Sequence, residues 1–464
     1  MTIQFFGAAR TVTGSKHLIT TADGTQILLD CGLFQGINTD ELNQQFGFDP
    51  AAVDYMVLSH AHIDHTGLSP RLVAQGFKGP IYTTSSTIDL CEVMLMDSAR
   101  IQERDLERVN SRRSRRGQAE LDVLYNEADV QQALDLMVAV AYNQPFEIGS
   151  SVTGLLTDAA HLLGSAAVSL TIREADKTTQ LMFSGDIGRP DDKILRKPDP
   201  FPQADYIICE STYGDRLHEP ETDVKAHLLR IVQETCIEKR GKLLIPAFAV
   251  DRTQELIYAL DQLETEGKLP RLQVYIDSPM SVKATQVMRD HEEDFNPEIL
   301  EYIKRDGDAF DFNNLHYVAD VEESKAINNR DEPCIIIAPS GMAEAGRIKH
   351  HIKNNIENPS TTILMVGYAS PNSLGGALKR GDKEVTIFGE RFAVNARVEI
   401  MDSFSAHGDY REMLQFLSCQ DPAQVKTVFL VHGEIEKQLI WKEKLQVAGF
   451  GHVEIPDMMD KVDL

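Results

Sequence analysis

Short apolar runs alternate with longer segments of helical periodicity over most of the chain. Each run has the length of a buried strand, and several of them end in polar residues. Strands that alternate with helices in this way indicate a layered α/β architecture. The predicted strands are residues 25–30, 54–59, 180–185, 205–211, 242–248, 273–278, 334–340, 362–368 and 427–433.

Residues 88–142 depart from this alternation. Apolar positions recur there at helical spacing on both sides of a highly charged stretch, which predicts two helices around an exposed connection. Residues 100–116, here named the arginine cluster, hold seven arginines against three acidic residues, a net charge of +4. The cluster fits either a solvated helix face or a surface that contacts a polyanion. Its arginines are Arg100, Arg104, Arg108, Arg112, Arg113, Arg115 and Arg116.

The chain has 464 residues, of which 42% are hydrophobic and 25% are charged, as in ordinary globular proteins. This length predicts two or three domains, each able to bury its own core. The formal net charge of −25 argues against a protein that simply coats nucleic acid, because phosphate would be repelled at long range. A local basic groove is still compatible with this net charge.

No apolar run is long enough to span a bilayer, and the first residues lack the pattern of a secretory signal. The six cysteines are scattered without CxxC pairs, which fits free thiols in a reducing compartment. We therefore expect a soluble cytoplasmic protein with no membrane partner.

The strongest chemical signal is LSHAHIDHTG at residues 58–67, directly after a predicted strand. It places His60, His62, Asp64 and His65 within six positions. Imidazole and carboxylate are the ligands that zinc and similar divalent ions take in hydrolytic sites. The alternative, polar loop histidines without a metal, is disfavoured because such clustering is rare by composition alone.

Three later residues follow strands or turns at positions where they could complete two metal sites. They are His161, Asp186 and His432. Taken singly, each has a structural alternative: a buried histidine, a turn aspartate, and a histidine at a strand terminus. Together with the first cluster they predict a metal pair with Asp186 as the bridging carboxylate, able to activate water against a phosphate or carbonyl group.

Protonation of the leaving group requires a further residue. His407, in a small polar turn, is the candidate, and Glu210, at the end of a predicted strand, could orient its imidazole and hold it protonated. Without the metal cluster, a turn histidine and a surface glutamate would be the better interpretations of these two residues.

These motifs resemble those of a known family. HAHIDH at residues 60–65 is similar to the signature of the metallo-β-lactamase superfamily. CESTYGDRLH (209–218), SFSAHGDY (403–410) and VHGE (431–434) resemble the further motifs of its nucleic-acid-processing β-CASP branch. That branch includes the endonuclease of messenger RNA 3′-end cleavage and bacterial and archaeal RNA exonucleases. The similarity extends over nearly the whole chain.

The resemblance implies an α/β fold, a four-layer αββα sandwich with an inserted α/β β-CASP cap domain. The sandwich would comprise residues 1–210 and 395–464, and the cap residues 211–394. It also implies two zinc ions, with manganese as an alternative. The first would be bound by His60, His62, His161 and Asp186, and the second by Asp64, His65, Asp186 and His432. Asp64, Asp186, Glu210 and His407 would be the catalytic residues, with His407 as general acid and Glu210 as its partner.

A turn in the cap, SGMAEAGRIKHHI, precedes a predicted helix and could present backbone N–H groups and cations to phosphate. A turn that merely packs is an equal alternative from the residues alone. The resemblance favours phosphate contact by Ser340, Arg347 and Arg252. Two features depart from the family pattern, Asp251 where glycine is usual and the loop at residues 368–378.

The leading hypothesis is a two-zinc ribonuclease that cuts single-stranded RNA internally, trims it from 5′ to 3′, or does both. An alternative is a metallohydrolase of small esters, thioesters or phosphodiesters, for which the negative charge is no obstacle. A third is an RNA-binding or scaffold subunit without metals, which the intact ligand set disfavours. A homodimer is expected only by analogy with the family.

Overall fold

The computed structural model describes residues 1–36, 39–175, 177–218, 223–367, 369–370, 372–401 and 405–464. They form two compact units. The first unit combines residues 1–217 with residues 407–464, and the second consists of residues 218–406. The first unit is therefore assembled from both ends of the chain.

The strands are numbered in chain order. They are β1 (Thr2–Phe5), β2 (His17–Thr20), β3 (Gln26–Leu29), β4 (Tyr55–Val57), β5 (Ile81–Thr83), β6 (Met137–Ala139), β7 (Phe146–Ile148), β8 (Val152–Asp158), β9 (Ala166–Glu174), β10 (Lys177–Phe183), β11 (Tyr206–Cys209), β12 (Leu243–Pro246), β13 (Gln273–Asp277), β14 (Leu315–Val318), β15 (Cys334–Ala338), β16 (Thr362–Met365), β17 (Glu384–Ile387), β18 (Glu390–Ala393), β19 (Arg397–Ile400), β20 (Thr427–Leu430), β21 (Val453–Glu454) and β22 (Lys461–Asp463).

The α-helices are numbered in the same way. They are α1 (Asp40–Gln44), α2 (Ile63–Thr66), α3 (Ser69–Ala74), α4 (Ser85–Arg115), α5 (Glu127–Asp135), α6 (Val224–Val232), α7 (Arg252–Thr265), α8 (Pro279–Asp290), α9 (Pro297–Asp306), α10 (Val321–Asn328), α11 (Gly346–Asn355), α12 (Leu374–Arg380), α13 (Tyr410–Leu417) and α14 (Ile435–Val447).

The first unit is a four-layer αββα sandwich, as the family resemblance implies. One sheet has the order β22-β1-β2-β3-β4-β5-β6 and the other β21-β20-β11-β10-β9-β8-β7. Side chains alternate between the two faces of each strand. Ile27 and Leu29 of β3 therefore enter the core between the sheets, whereas Leu28 points to the outer layer. In β11, Ile208 faces the same inner core.

Helices cover the outer face of each sheet. Against the second sheet, Met413 of α13 and Trp441 of α14 are fully buried together with Ile207 and Cys209. Against the first sheet, Leu72 of α3 packs into a cluster with Leu28 and other apolar residues. Each outer layer thus removes the second apolar face of its sheet from water, which is the main stabilising term of such an architecture.

The second unit is an α/β domain around a parallel sheet of order β14-β13-β15-β12-β16-β19. Three of its strands, β12, β15 and β16, are almost continuous apolar runs that are buried throughout, as parallel strands covered on both faces require. Leu244, Ile336 and Ile363 of three such strands share a core with Ile348 and Ile352 of α11. A separate antiparallel hairpin, formed by β17 and β18, follows α12.

All the apolar runs predicted as strands contain a strand, although Tyr368, the last residue of one run, lies outside the described residues. The two helices predicted in residues 88–142 are α4 and α5. The helical prediction is wrong at residues 137–139, which form β6. This segment pairs in parallel with β5, so the sheet edge overrides the local helical periodicity.

The arginine cluster lies on the exposed half of α4 and the turn that follows it. Arg100 pairs with Glu127 through a 2.6 Å contact, and Arg108 is 3.7 Å from Asp105. Arg113 donates from Nε to the carbonyl oxygen of Ala119. A solvated helix face therefore describes part of this cluster. Within the described residues, no helix is both long enough and apolar enough to cross a membrane.

A buried acid in the second unit gives a stability test. Asp261 of α7 is 1% exposed and accepts a 3.0 Å hydrogen bond from the Tyr302 hydroxyl. Burial raises the pKa of its carboxyl group to about 7, helped by Asp306 and Asp308. A carboxyl pKa that is higher in the folded state favours folding at low pH, and this contribution is lost as the pH rises through 7.

We therefore expect Asp261→Asn to raise the midpoint of thermal unfolding relative to wild type, and to do so more at pH 8 than at pH 5. Expressed as free energy of unfolding, the gain of the variant over wild type is expected to be about 1 to 2 kcal/mol larger at pH 8 than at pH 5. This is below the full linkage value because Asp261 lines an open surface pocket, where water screens its charge. Calorimetry at both pH values measures it. An equal difference between the two proteins at both values would contradict the expectation.

Candidate metal centre

Several strands of the first unit end next to one another, and polar residues follow each end. His60 follows β4 of one sheet, while His161, Asp186 and His432 follow β8, β10 and β20 of the other. His62 precedes α2, and Asp64 and His65 lie within it. The sequence-predicted metal ligands therefore come together from separate parts of the first unit.

The first donor group consists of His60, His62, His161 and Asp186. His62 Nδ1 is 3.1 Å from His60 Nε2 and 3.3 Å from His161 Nε2. Asp186 Oδ2 is 3.5 Å from His60 Nε2 and 3.4 Å from His161 Nε2. Four donor atoms thus converge on one point.

The second donor group contains Asp64, His65 and His432. His432 Nε2 is 3.2 Å from His65 Nε2 and 3.5 Å from Asp64 Oδ2. Asp186 joins this group with its other oxygen, because Oδ1 is 3.3 Å from His65 Nε2. One carboxylate therefore offers one oxygen to each group, as a bridging ligand would.

These donors fit divalent metal ions. Tetrahedral zinc with nitrogen ligands at about 2.0 to 2.1 Å places neighbouring donor atoms about 3.3 Å apart, which matches the spacing within both groups. Imidazole nitrogens this close present lone pairs to one another unless a proton or a cation lies between them. Histidine with aspartate is also the ligand set of catalytic rather than thiolate structural sites.

Neighbouring groups orient the histidine rings. Asp30 Oδ2 is 2.6 Å from His65 Nδ1, Ser59 Oγ is 3.0 Å from His60 Nδ1, and Thr212 Oγ1 is 3.0 Å from His432 Nδ1. For His60 and His65 the contact occupies the second ring nitrogen and so leaves Nε2 for a metal. His432 differs, because its Nδ1 also lies 3.5 Å from Asp186 Oδ1 while its Nε2 faces His65 and Asp64. Asp30, Ser59 and Thr212 are site residues that the sequence reasoning missed. The only signal for Asp30 was its position at the end of a predicted strand.

The electrostatics of the site follow from burial. Burial lowers the pKa of His62 to about 4 and the pKa of His60 and His161 well below the usual value. These rings are therefore neutral, the form that binds a metal. Burial also opposes charge on His65, but Asp186 and Asp30 outweigh it and raise the pKa of that ring well above its usual value.

Glu210 and His407 form a pair beside the first donor group. Glu210 is fully buried, and its Oε1 is 3.1 Å from His407 Nδ1 and accepts a 2.7 Å hydrogen bond from the Ile187 N–H. His407 Nε2 faces Asp186 Oδ2 at 3.9 Å. Burial lowers the pKa of His407, but Glu210 and Asp186 raise it more, to about 9. Ser403 and Phe404 of the same motif lie outside the described residues.

The predicted phosphate-binding residues all lie in the second unit. Ser340 lies in the turn before α11, and its Oγ accepts a 3.3 Å hydrogen bond from the Ala345 N–H. Arg347 donates to Asp277 at 2.7 Å and to the carbonyl oxygen of Val318 at 3.0 Å. Arg252 is buried and pairs with Glu255. Both arginines thus have acidic partners within the unit.

The two departures from the family pattern also lie in the second unit. Asp251 precedes α7 with φ of 69°, a left-handed conformation that favours glycine, so this aspartate is held in a strained backbone. In the loop at residues 368–378, positions 368 and 371 lie outside the described residues, and α12 begins at Leu374.

Comparison with known families matches three successive parts of the chain. Residues 14–215 match the metallo-beta-lactamase superfamily, residues 253–378 the Beta-Casp domain, and residues 391–456 the Zn-dependent metallo-hydrolase RNA specificity domain. The matches follow the order of the motifs in the sequence.

Similar proteins of named function cover most of the chain. Ribonuclease TTHA0252 of Thermus thermophilus is 35% identical over 97% of both chains. An RNase J-like protein of Methanocaldococcus jannaschii is 28% identical over 95% of both chains. The transcription termination factor FttA of Methanosarcina mazei is 28% identical over 92% of this chain and 66% of its own length.

A solved structure shares the fold. A protein of unknown function from Enterococcus faecalis superposes with a TM-score of 0.54 over 100% of this chain and 99% of its own, at 12% sequence identity. At that identity the likeness concerns the fold alone.

The position of Asp30 generates a test of metal binding. We expect Asp30→Asn to weaken the binding of one zinc ion about 10- to 100-fold, because His65 loses the carboxylate that orients its ring. Ser15→Ala is the matched control, since it removes another hydrogen-bond partner of the same Asp30 oxygen, 3.2 Å away, and keeps the Asp30 carboxylate beside His65. Competition with a chromogenic zinc chelator measures both variants. Wild-type zinc affinity in Asp30→Asn would contradict the expectation.

Proposed function

Because the chain belongs to the metallo-β-lactamase superfamily, within its β-CASP branch, we propose that it is a metal-dependent ribonuclease acting on single-stranded RNA. Two donor groups that share Asp186, beside the Glu210–His407 pair, carry the proposal. A site of this kind can hydrolyse a phosphodiester bond with water as the nucleophile.

The donor groups are proposed to hold two zinc ions, for which manganese could substitute. His60, His62, His161 and Asp186 would bind the first ion, and Asp64, His65, Asp186 and His432 the second. Bound divalent ions would supply Lewis acidity toward a phosphoryl oxygen and activation of water. Asp186 keeps both sites in fixed relation because its two oxygens belong to one rigid carboxylate.

His407 is proposed to protonate the leaving oxygen of the RNA chain. Its Nδ1 is fixed by Glu210, so the proton for transfer is carried on Nε2, the nitrogen that faces the donor groups. Glu210 in turn is held by backbone N–H groups of Ile187 and Thr212. A sugar hydroxyl is a poor leaving group, which explains the need for this pair.

RNA as the substrate is supported by the names of the relatives and by the RNA specificity domain model. The proposed modes are internal cleavage, 5′-to-3′ trimming, or both. Ser340, Arg252 and Arg347 are proposed to contact phosphates. Each of the two arginines would then have to contact a phosphate in addition to its acidic partner. Free cysteines support the proposed cytoplasmic location.

The first expected outcome concerns the substrate and the mode of cleavage. A single-stranded RNA labelled separately at its 5′ and 3′ ends is cleaved by the wild type and not by Asp64→Ala, because the variant loses a ligand of the second ion. Gel analysis distinguishes mononucleotides from internal fragments, and DNA of the same sequence serves as the comparison. A wild type inactive on RNA with zinc or manganese, but active on small esters, would contradict the proposal.

The second expected outcome concerns His407. His407→Ala loses about 10²- to 10⁴-fold of the rate on RNA, because the leaving sugar oxygen is no longer protonated. The same variant keeps most of its activity on bis(p-nitrophenyl) phosphate, whose phenolate leaves without a proton. Initial rates on both substrates measure the contrast. Equal losses on both would assign His407 to metal binding or folding instead.

A further inference from the structure

An aromatic side chain stands exposed at the tip of the β17–β18 hairpin. Ile387 pairs with Glu390, so Phe388 and Gly389 form a two-residue turn. Their φ angles are 51° and 83°, and a two-residue type I′ hairpin turn requires such positive φ at both central positions. Phe388 is nevertheless 50% exposed, although most phenylalanines of the chain are buried.

Phenylalanine is disfavoured at the first central position of this turn. Asparagine, aspartate or glycine is preferred at the first central position because these residues tolerate positive φ, whereas a bulky side chain is strained there. Burial compensates only in part, since Phe388 is half exposed to solvent. A Cβ at Gly389 would meet no atom within 4 Å, so the space around the tip is open. A strained residue whose side chain is only half buried is a candidate for function.

Basic side chains of α11 surround this ring. The Lys349 and Lys353 ammonium groups lie 5.2 and 5.9 Å from the centroid of the Phe388 ring, within the range of cation–π attraction. The His350 ring packs against Phe388 with centroids 4.6 Å apart. We name Phe388, His350, Lys349 and Lys353 the Phe388 platform.

Acidic residues near the platform are engaged by its lysines. Glu390 lies 3.0 Å from Lys353, and Glu344 lies 3.4 Å from Lys349. Lys353 keeps 29% of its side chain exposed, whereas Lys349 is 16% exposed and also donates to the carbonyl oxygen of Glu344 at 3.0 Å. Burial and the positive charges of His351, Lys353 and Lys349 lower the pKa of His350, so its ring stays neutral and available for stacking. The platform thus combines an exposed aromatic face with two ammonium groups.

We propose that the Phe388 platform is a binding site for single-stranded RNA. The Phe388 ring stacks on one nucleobase, and Lys353 contacts an adjoining phosphate. Aromatic rings beside cations are how proteins hold single strands without reading their sequence, because every base has a π-face. This proposal rests on the proposed function, because it assumes that the bound polymer is RNA. It adds a contact with RNA that none of the proposed catalytic residues provides.

The test measures RNA binding by the full-length chain in the Asp64→Ala background, where RNA is not cleaved. Anisotropy of a fluorescent single-stranded RNA of about twelve nucleotides gives the dissociation constant. Phe388→Ala is expected to weaken binding about tenfold, and Phe388→Trp to restore it. Lys353→Ala is expected to reduce the slope of log affinity against log salt by about 0.7, the value of one lost phosphate contact on a single strand.

Two matched controls lie in the same unit. Val321→Ala removes another exposed apolar side chain, and Lys325→Ala removes another lysine paired with a glutamate. Both are expected to bind RNA as the parent does. Phe388→Asn separates binding from folding, because asparagine suits the turn. It is expected to unfold at the same or a higher temperature while losing RNA affinity.

The outcomes distinguish this site from the proposed function. Unchanged RNA affinity in Phe388→Ala and Phe388→Asn, with a wild type that binds and cleaves RNA, would overturn the platform alone. A wild type that hydrolyses bis(p-nitrophenyl) phosphate but neither binds nor cleaves RNA would overturn the proposed function and the platform with it. The expected result is loss of affinity in both Phe388 variants, with unchanged bis(p-nitrophenyl) phosphate hydrolysis when the same substitutions are made in the chain that retains Asp64.

Discussion

The carboxylate of Asp186 is the constraint around which the first unit is arranged. Its two oxygens face two different groups of donors. The strands β4, β8, β10 and β20 must therefore all end close to Asp186. Burying this many polar groups is costly unless each has a partner or a cation. The αββα sandwich meets the requirement because the inner core aligns both sheets, and the strand ends then converge at one edge.

The sequence revealed the part of this arrangement that is local. His60, His62, Asp64 and His65 lie within a few residues, and a cluster of this kind is rare unless it binds a metal. His161, Asp186 and His432 could be named because each follows an apolar run, although singly each had an ordinary alternative. Asp30 and Thr212 could not be predicted, since their contacts to histidine rings depend on packing between segments far apart in the chain.

The same contrast applies to the fold. Apolar runs located the core strands, but β6 was predicted as helix because its pairing with β5 is set by the sheet edge. In the second unit the sequence indicated a turn with cations before α11. It did not indicate that Arg347 and Arg252 pair with Asp277 and Glu255, nor that Phe388 would meet Lys349 and Lys353 across two elements distant in sequence.

Bridging of two metal sites by Asp186 is the property on which the proposed chemistry depends. Anomalous X-ray diffraction from crystals of the zinc-loaded protein, recorded on both sides of the zinc absorption edge, tests it most directly. We predict two zinc peaks about 3.5 to 4 Å apart, one beside each carboxylate oxygen of Asp186. A single peak, or two peaks of which only one contacts Asp186, would contradict this prediction.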